Sequence, residues 1–242
     1  MIQVTQKQKE EAIAHFQYEG VLASEGPYGS GHINDTFLLT FDVEGEGKRN
    51  VILQRMNNEV FSDPVGLMEN IVGVTSYLRK KIIDNGGDPD RETLNVIRTV
   101  DGDNYLVDED GDYWRTYIFI EDATCFDIVE KPEDFYNSAL SFGNFQRLLE
   151  DYPAAALHET IPNFHNTVSR FADFTRAVEE DVMKRASGVQ EEIRFVLDRE
   201  PDTHVICDAL AKGRLPLRVT HNDTKLNNIM IDNKTGKGLC VI

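Results

Sequence analysis

The chain has 242 residues, with 25 Lys and Arg set against 42 Asp and Glu, a net charge of −17. That charge argues against a nucleic-acid partner, which requires a basic face, and against an anionic membrane surface. No apolar run approaches the roughly 18–20 residues that cross a bilayer. A composition of 40% apolar and 28% charged residues is that of an ordinary globular domain with enough chain for a full core. The N-terminus is polar and lacks the apolar centre of a secretory signal. Cys125, Cys207 and Cys240 are widely spaced with no C-x-x-C, which suits a cytoplasmic protein with buried thiols.

In chain order, residues 6–17 read as an amphipathic helix. A strand over Val21–Glu25 follows, then a glycine-rich turn, Gly26–Gly31, and a strand over Ile33–Val43 rich in β-branched and aromatic residues. The turn at Glu44–Lys48 leads into the apolar strand Val51–Leu53, forming a hairpin. Asp63-Pro64 is an N-cap and first-turn pair, and Leu67, Ile71, Val74, Leu78 and Ile82 lie on one face of the helix it opens. Gly86-Gly87 stops that helix. Short strands are expected around Leu94–Thr99, Tyr105–Val107 and Tyr113–Ile120, joined by Asp-Gly turns.

From Pro132 the period becomes helical, with Phe135, Ala139, Phe142, Phe145 and Leu149 in one stripe. Further helices are expected over 167–186, 188–199 and 202–212. The last 28 residues read as strand–loop–strand, from Pro216–Thr220 through His221–Asn228 to Ile229–Asp232, with a final strand at Leu239–Ile242. The composition shift near 120–131 marks the one boundary, giving a sheet lobe over 1–120 and a helical lobe over 121–242. A chain stopping on an apolar strand suggests that the second lobe is incomplete.

Thr220-His221-Asn222-Asp223-Thr224-Lys225-Leu226-Asn227-Asn228 fits H-x-D-x-x-x-x-N. Phosphoryl transfer uses these residue types together. Asp223 accepts the proton of an attacking hydroxyl or aligns it, Asn228 offers an oxygen to a Mg²⁺ held by nucleotide phosphates, and Lys225 neutralises the transferring group. His221 reads as a packing residue that holds the loop. A polar loop between strands can match this pattern by chance, so its strand-flanked setting is what gives it weight.

Three further features stand in the order of a kinase. Gly29, Ser30 and Gly31 lie in a turn between strands, where absent side chains let backbone N–H groups approach phosphates. No Gly-Lys-Ser/Thr follows, so this is not a Walker loop, and the strand that follows excludes a Rossmann turn. The strand Val51–Arg55 offers Gln54 or Arg55 at the position where kinases hold a phosphate-binding cation, with Glu69 on the next helix as the orienting carboxylate. Phe119 and Ile120, at the boundary, form a connector able to receive an adenine. The expected fold is α+β and protein-kinase-like, a small antiparallel sheet lobe followed by a mostly helical one.

The stretches PYGSGHINDTF, ILQRMN, GGDPDRETL, YIFIEDA, FGNFQRLL, ETIPNFHNT and RVTHNDTKLNNIMID resemble the aminoglycoside phosphotransferase and choline kinase family, and within it the kinases of N-acetylhexosamines. The resemblance implies ATP- and Mg²⁺-dependent phosphorylation of the anomeric hydroxyl of N-acetylglucosamine or N-acetylgalactosamine. It implies that His32 faces the sugar, that Asp223 is the catalytic base and that Asn228 is a metal ligand. It also implies a further metal-binding aspartate beyond Ile242, without which turnover is expected to be weak. Choline, homoserine and aminoglycosides are the alternative acceptors, and a nucleotide-binding piece without catalysis is the alternative to an enzyme.

Overall fold

Thr5 opens the first helix by a reciprocal cap: its hydroxyl accepts from the Gln8 backbone, and the Gln8 side chain accepts from the Thr5 backbone. The computed structural model describes residues 4–29, 31, 33–129 and 131–242. That helix, α1 (Gln6–Ala14), is shorter than the sequence pattern suggests and ends at His15. Strands β1 (Val21–Pro27), β2 (Asp35–Val43) and β3 (Gly47–Met56) form an antiparallel meander. Helix α2 (Pro64–Asp84) starts at Asp63, whose carboxylate accepts from Gly66 N–H.

The sheet is completed by β4 (Val96–Ile97), β5 (Leu106–Val107) and β6 (Tyr113–Ile118). Its order is β1-β2-β3-β6-β4, with β5 also on β6, and every pairing is antiparallel. One face of this sheet is dry. Leu39 and Phe41, Val51 and Leu53, and Trp114 pack with Ala12 and Phe16 beneath α1. Strand alternation therefore turns Thr36, Gln54 and Arg115 to the opposite face.

A second, three-stranded sheet consists of β7 (Ala123–Thr124), β8 (Ile229–Asp232) and β9 (Gly238–Val241). Ile229 and Ile231 of β8 pack on Phe142 of α3 (Pro132–Leu148), with Phe126 and Val241 closing the cluster. Leu149, just past α3, packs with Leu78 and Ile82 of α2 and with Val219. Two compact units divide the chain. One comprises residues 1–160 and 219–242 and the other 161–218, so the composition shift at 120–131 falls inside the first unit. The second unit holds α4 (Thr167–Glu180), α5 (Gln190–Leu197) and α6 (Glu200–Ala211). Within it Thr167 of α4 donates to the carbonyl of Thr203 of α6.

Other expected elements also differ from this. Phe135 and Ala139 are exposed, whereas Phe142 packs on β8 and Leu149, just past the helix, on α2. Pro216–Thr220 is not a strand: Leu217 is exposed, Val219 is buried, and no strand pairs with the segment. Among the described residues no helix is long and apolar enough to cross a membrane.

Candidate active site

The H-x-D-x-x-x-x-N loop enters without a strand and leaves through one 3-10 turn, Leu226–Asn228, directly into β8. Asn222 takes a positive φ of 66°, a conformation asparagine tolerates better than most residues, and this bends the chain ahead of Asp223. His221 is wedged edge-on against Phe142 and Phe145, with centroids 5.4 and 6.0 Å away. The Asp223 N–H lies 3.3 Å from His221 Nδ1 and can only donate, so Nδ1 accepts. The remaining proton is then on Nε2, which donates to the Ile242 oxygen at 2.8 Å. In this tautomer His221 ties the loop to both α3 and the chain after β9, which is a positioning role.

Asn228 grips Asp223 twice. Its amide nitrogen donates to the Asp223 carbonyl at 2.7 Å and to Oδ2 at 2.9 Å. Both partners are acceptors, so the orientation of the amide is fixed. Lys225 Nζ stands 3.2 Å from the same Oδ2. Burial pushes the Asp223 carboxyl up, but the hydrogen bonds from Asn228 and Lys225 and the charge of Lys225 hold it below the ordinary 3.8. Asp223 is thus ionised and exposed, with Oδ2 occupied and, among the described residues, Oδ1 left for another donor.

The same geometry bears on a divalent cation. Asn228 uses its nitrogen on Asp223, so its side-chain oxygen is available as a hard ligand beside an ionised carboxylate. Among the described residues no three His, Cys, Asp or Glu side chains form a cage. This donor set fits an ion that shares its shell with phosphates and water, as Mg²⁺ does.

The other candidates fall into separate places. Gln54 and Arg55 point to opposite faces of the sheet. Arg55 lies on the α1 side, where it is 4% exposed and bonds Asp35 at 2.7 Å and Asp112 at 2.8 Å. Glu69 does not orient it: that carboxylate pairs with His158 Nε2 at 2.6 Å, next to Asn70, which bonds both backbone groups of His158. Among the described residues Arg55 and Glu69 form no pair, because β3 places Arg55 on the α1 face with Asp35 and Asp112 while Glu69 is held by His158.

Gly29 has a φ of +81°, which favours glycine, whereas Gly31 carries no such demand and a side chain there would meet nothing within 4 Å. Ser30 and His32 lie outside the described residues. In the connector, Phe119 N–H is committed to the Asn50 carbonyl at 3.2 Å, while no backbone partner engages Ile120 among the described residues. The Tyr28 ring stands edge-on to Phe119 at 5.6 Å, which brings the glycine turn to the connector.

Sequence reasoning missed two residues. Arg91 donates to Asp232 Oδ2 at 3.0 Å and to the Glu121 carbonyl at 2.9 Å, pinning the connector to the β8–β9 hairpin. Arg115 donates through Nε to Gln54 Oε1 at 3.0 Å, across the β3–β6 register pair. The GGDPDRETL stretch contained Arg91, but nothing in its spacing gives its partner. For Arg115 the only signal was its alternation with Trp114.

Comparisons with solved structures give the fold. An amicoumacin kinase in complex with AMP-PNP, Ca²⁺ and Ami superposes with a TM-score of 0.57 at 10% identity, covering 99% of this chain and 63% of that one. A spectinomycin phosphotransferase in complex with ADP and spectinomycin gives 0.46 at 14% identity, covering 100% of this chain and 69% of that one. The first of these likenesses identifies the α+β arrangement as kinase-like, and the chain spans 63% of that kinase's length. Residues 26–242, from the glycine turn through the Asp223 loop to β9, match the phosphotransferase enzyme family, and the chain belongs to it.

Proposed function

We propose that the protein is an ATP-dependent kinase that phosphorylates the anomeric hydroxyl of an N-acetylhexosamine in the cytoplasm. The observation that carries the kinase reading is the Asp223 carboxylate, held ionised by Asn228 and Lys225, with Oδ1 unoccupied among the described residues. The choice of acceptor rests on the resemblance of the GSGHIND and RVTHNDTKLNN stretches to hexosamine kinases.

In this reading Asp223 Oδ1 accepts a hydrogen bond from the acceptor hydroxyl and aligns its oxygen with the γ-phosphorus of ATP. The new bond joins that oxygen to phosphorus, the bond from phosphorus to the bridging oxygen breaks, ADP leaves, and the hydroxyl proton passes to Asp223. A depressed pKa makes Asp223 a weak base, so its larger contribution is orientation, with the proton taken late. Lys225 sits beside the developing charge. A divalent cation bound at Asn228 would neutralise the phosphates. Gly29 and Gly31 would admit phosphates to the turn, and the free backbone of Ile120 would receive the adenine edge.

Incubating the protein with ATP and Mg²⁺ against N-acetylglucosamine, N-acetylgalactosamine, choline, homoserine and an aminoglycoside, with ³¹P NMR of the products, tests the reading. A sugar 1-phosphate is expected. Transfer only to choline, homoserine or the aminoglycoside would keep the kinase and replace the acceptor.

A further inference from the structure

Gln54 stands in a chain of three side chains that crosses the sheet face away from α1. Its Nε2 donates to Thr36 Oγ1 at 2.9 Å, and its Oε1 accepts from Arg115 Nε at 3.0 Å. A guanidinium has donors only, so the Gln54 amide has one possible orientation, and Arg115 is fixed by it. Arg49, Arg55, Arg79 and Arg91 each hold a carboxylate. Arg115 holds none among the described residues, although the chain carries 42 acidic residues. Burial works against its charge and Tyr117 supports it, and a guanidinium stays protonated throughout. A half-buried, ionised fork whose terminal N–H groups are uncommitted among the described residues is a site for an anion.

Its surroundings say which anion. The Thr36 carbonyl accepts from Tyr28 N–H at 2.9 Å, so the chain of side chains begins at the glycine turn. Phe119, at the connector, lies four residues further along from Arg115, about 13 Å of extended chain. A ligand with a flat base at one end and phosphates at the other spans that separation.

We propose that Arg115, positioned by Gln54, is the residue that binds the phosphates of the nucleotide, in place of a cation on β3. This rests on the kinase reading and deepens it. Gln54 acts only through Arg115. The charge that kinases carry on β3 stands here on the neighbouring strand, and Gln54 occupies the β3 position.

Calorimetric titration of ADP and of adenosine into wild type, Arg115→Gln, Arg115→Met and Arg115→Lys tests it. Gln can still donate to Gln54 without carrying charge, which guards against a variant that fails to fold. We expect ADP to bind at least about tenfold more weakly to Arg115→Gln and Arg115→Met, the scale of a lost charge-assisted pair, with adenosine within about twofold. Arg115→Lys should recover part of the ADP affinity. Equal losses for ADP and adenosine, or none for either, would overturn the role of Arg115 while leaving the kinase intact. A wild type that binds neither ligand would remove the kinase reading itself, and the proposal with it.

Discussion

Arg91 reaches Asp232 at 3.0 Å across 141 residues of chain. The same guanidinium bonds the Glu121 carbonyl at 2.9 Å, so one side chain ties the connector to the strand that follows the H-x-D-x-x-x-x-N loop. Arg91→Met should lower the melting temperature by roughly 2–4 °C, the effect of about one charge-assisted bond in a chain of this size. It should also weaken nucleotide binding, read by calorimetry. An unchanged melting temperature would mean that the bridge contributes nothing to the fold.

Asp232 makes that bridge sensitive to acid. Bonds from the Thr235 backbone and hydroxyl, with Arg91 and the Lys234 backbone, hold its carboxyl at about 2 against an ordinary 3.8. A depressed pKa stabilises the fold at every pH above the unfolded value, and that contribution is lost as pH falls from 3.8 toward about 2. Melting temperatures measured across this window should fall more steeply for wild type than for Asp232→Asn. Parallel curves would place the acid sensitivity elsewhere.

The Arg55 network predicts a stability effect without a binding effect. Arg55→Met leaves Asp35 and Asp112 without their cation on the α1 face, and should cost about 1–3 kcal/mol, both carboxylates being partly open to solvent. The single tryptophan, Trp114, is fully buried and bonds Asp108, so its fluorescence follows unfolding of this sheet in urea. The same variant should bind ADP like wild type once folded, in contrast with Arg115→Gln. A large loss of ADP affinity in Arg55→Met would return Arg55 to the binding site.

Much of this architecture was legible in the sequence, for reasons that particular residues show. Helix α2 has a capping aspartate, a proline at its first turn and a continuous apolar stripe, and each is a local signal. The motif from Thr220 to Asn228 was legible because its spacing encodes contacts within one loop. The choice between Gln54 and Arg55 was not legible, because a slip of one residue in a strand exchanges the two faces. Leu53 pairs with Phe37 across β2 and β3 and joins the cluster beneath α1, which puts Arg55 on that face and Gln54 on the other, and that pairing is long-range. The α3 stripe was legible as one face, but periodicity gives the direction of a face and not how much of it meets a partner. Phe142 and Leu149 have partners, and Phe135 does not.

The titration of Asp223 distinguishes an aligning carboxylate from a strong base. The Asn228 and Lys225 bonds favour its charged form, so its midpoint, read by carboxyl ¹³C NMR, should lie below 3.8 and rise toward that value in Lys225→Met. Activity lost on protonating Asp223 should therefore appear only as pH falls beneath 3.8. A midpoint above 3.8 in wild type would contradict the hydrogen bonding described for the loop.

The most direct test of the account is the turnover of Asp223→Asn with ATP, Mg²⁺ and the best acceptor of the panel, alongside calorimetric titration of ATP into the same variant. Asparagine preserves the size of the side chain but lacks the charge that aligns the hydroxyl and cannot take its proton. The account predicts that kcat falls by about 10²–10⁴-fold while ATP affinity stays within about twofold of wild type. A kcat near that of wild type would contradict it.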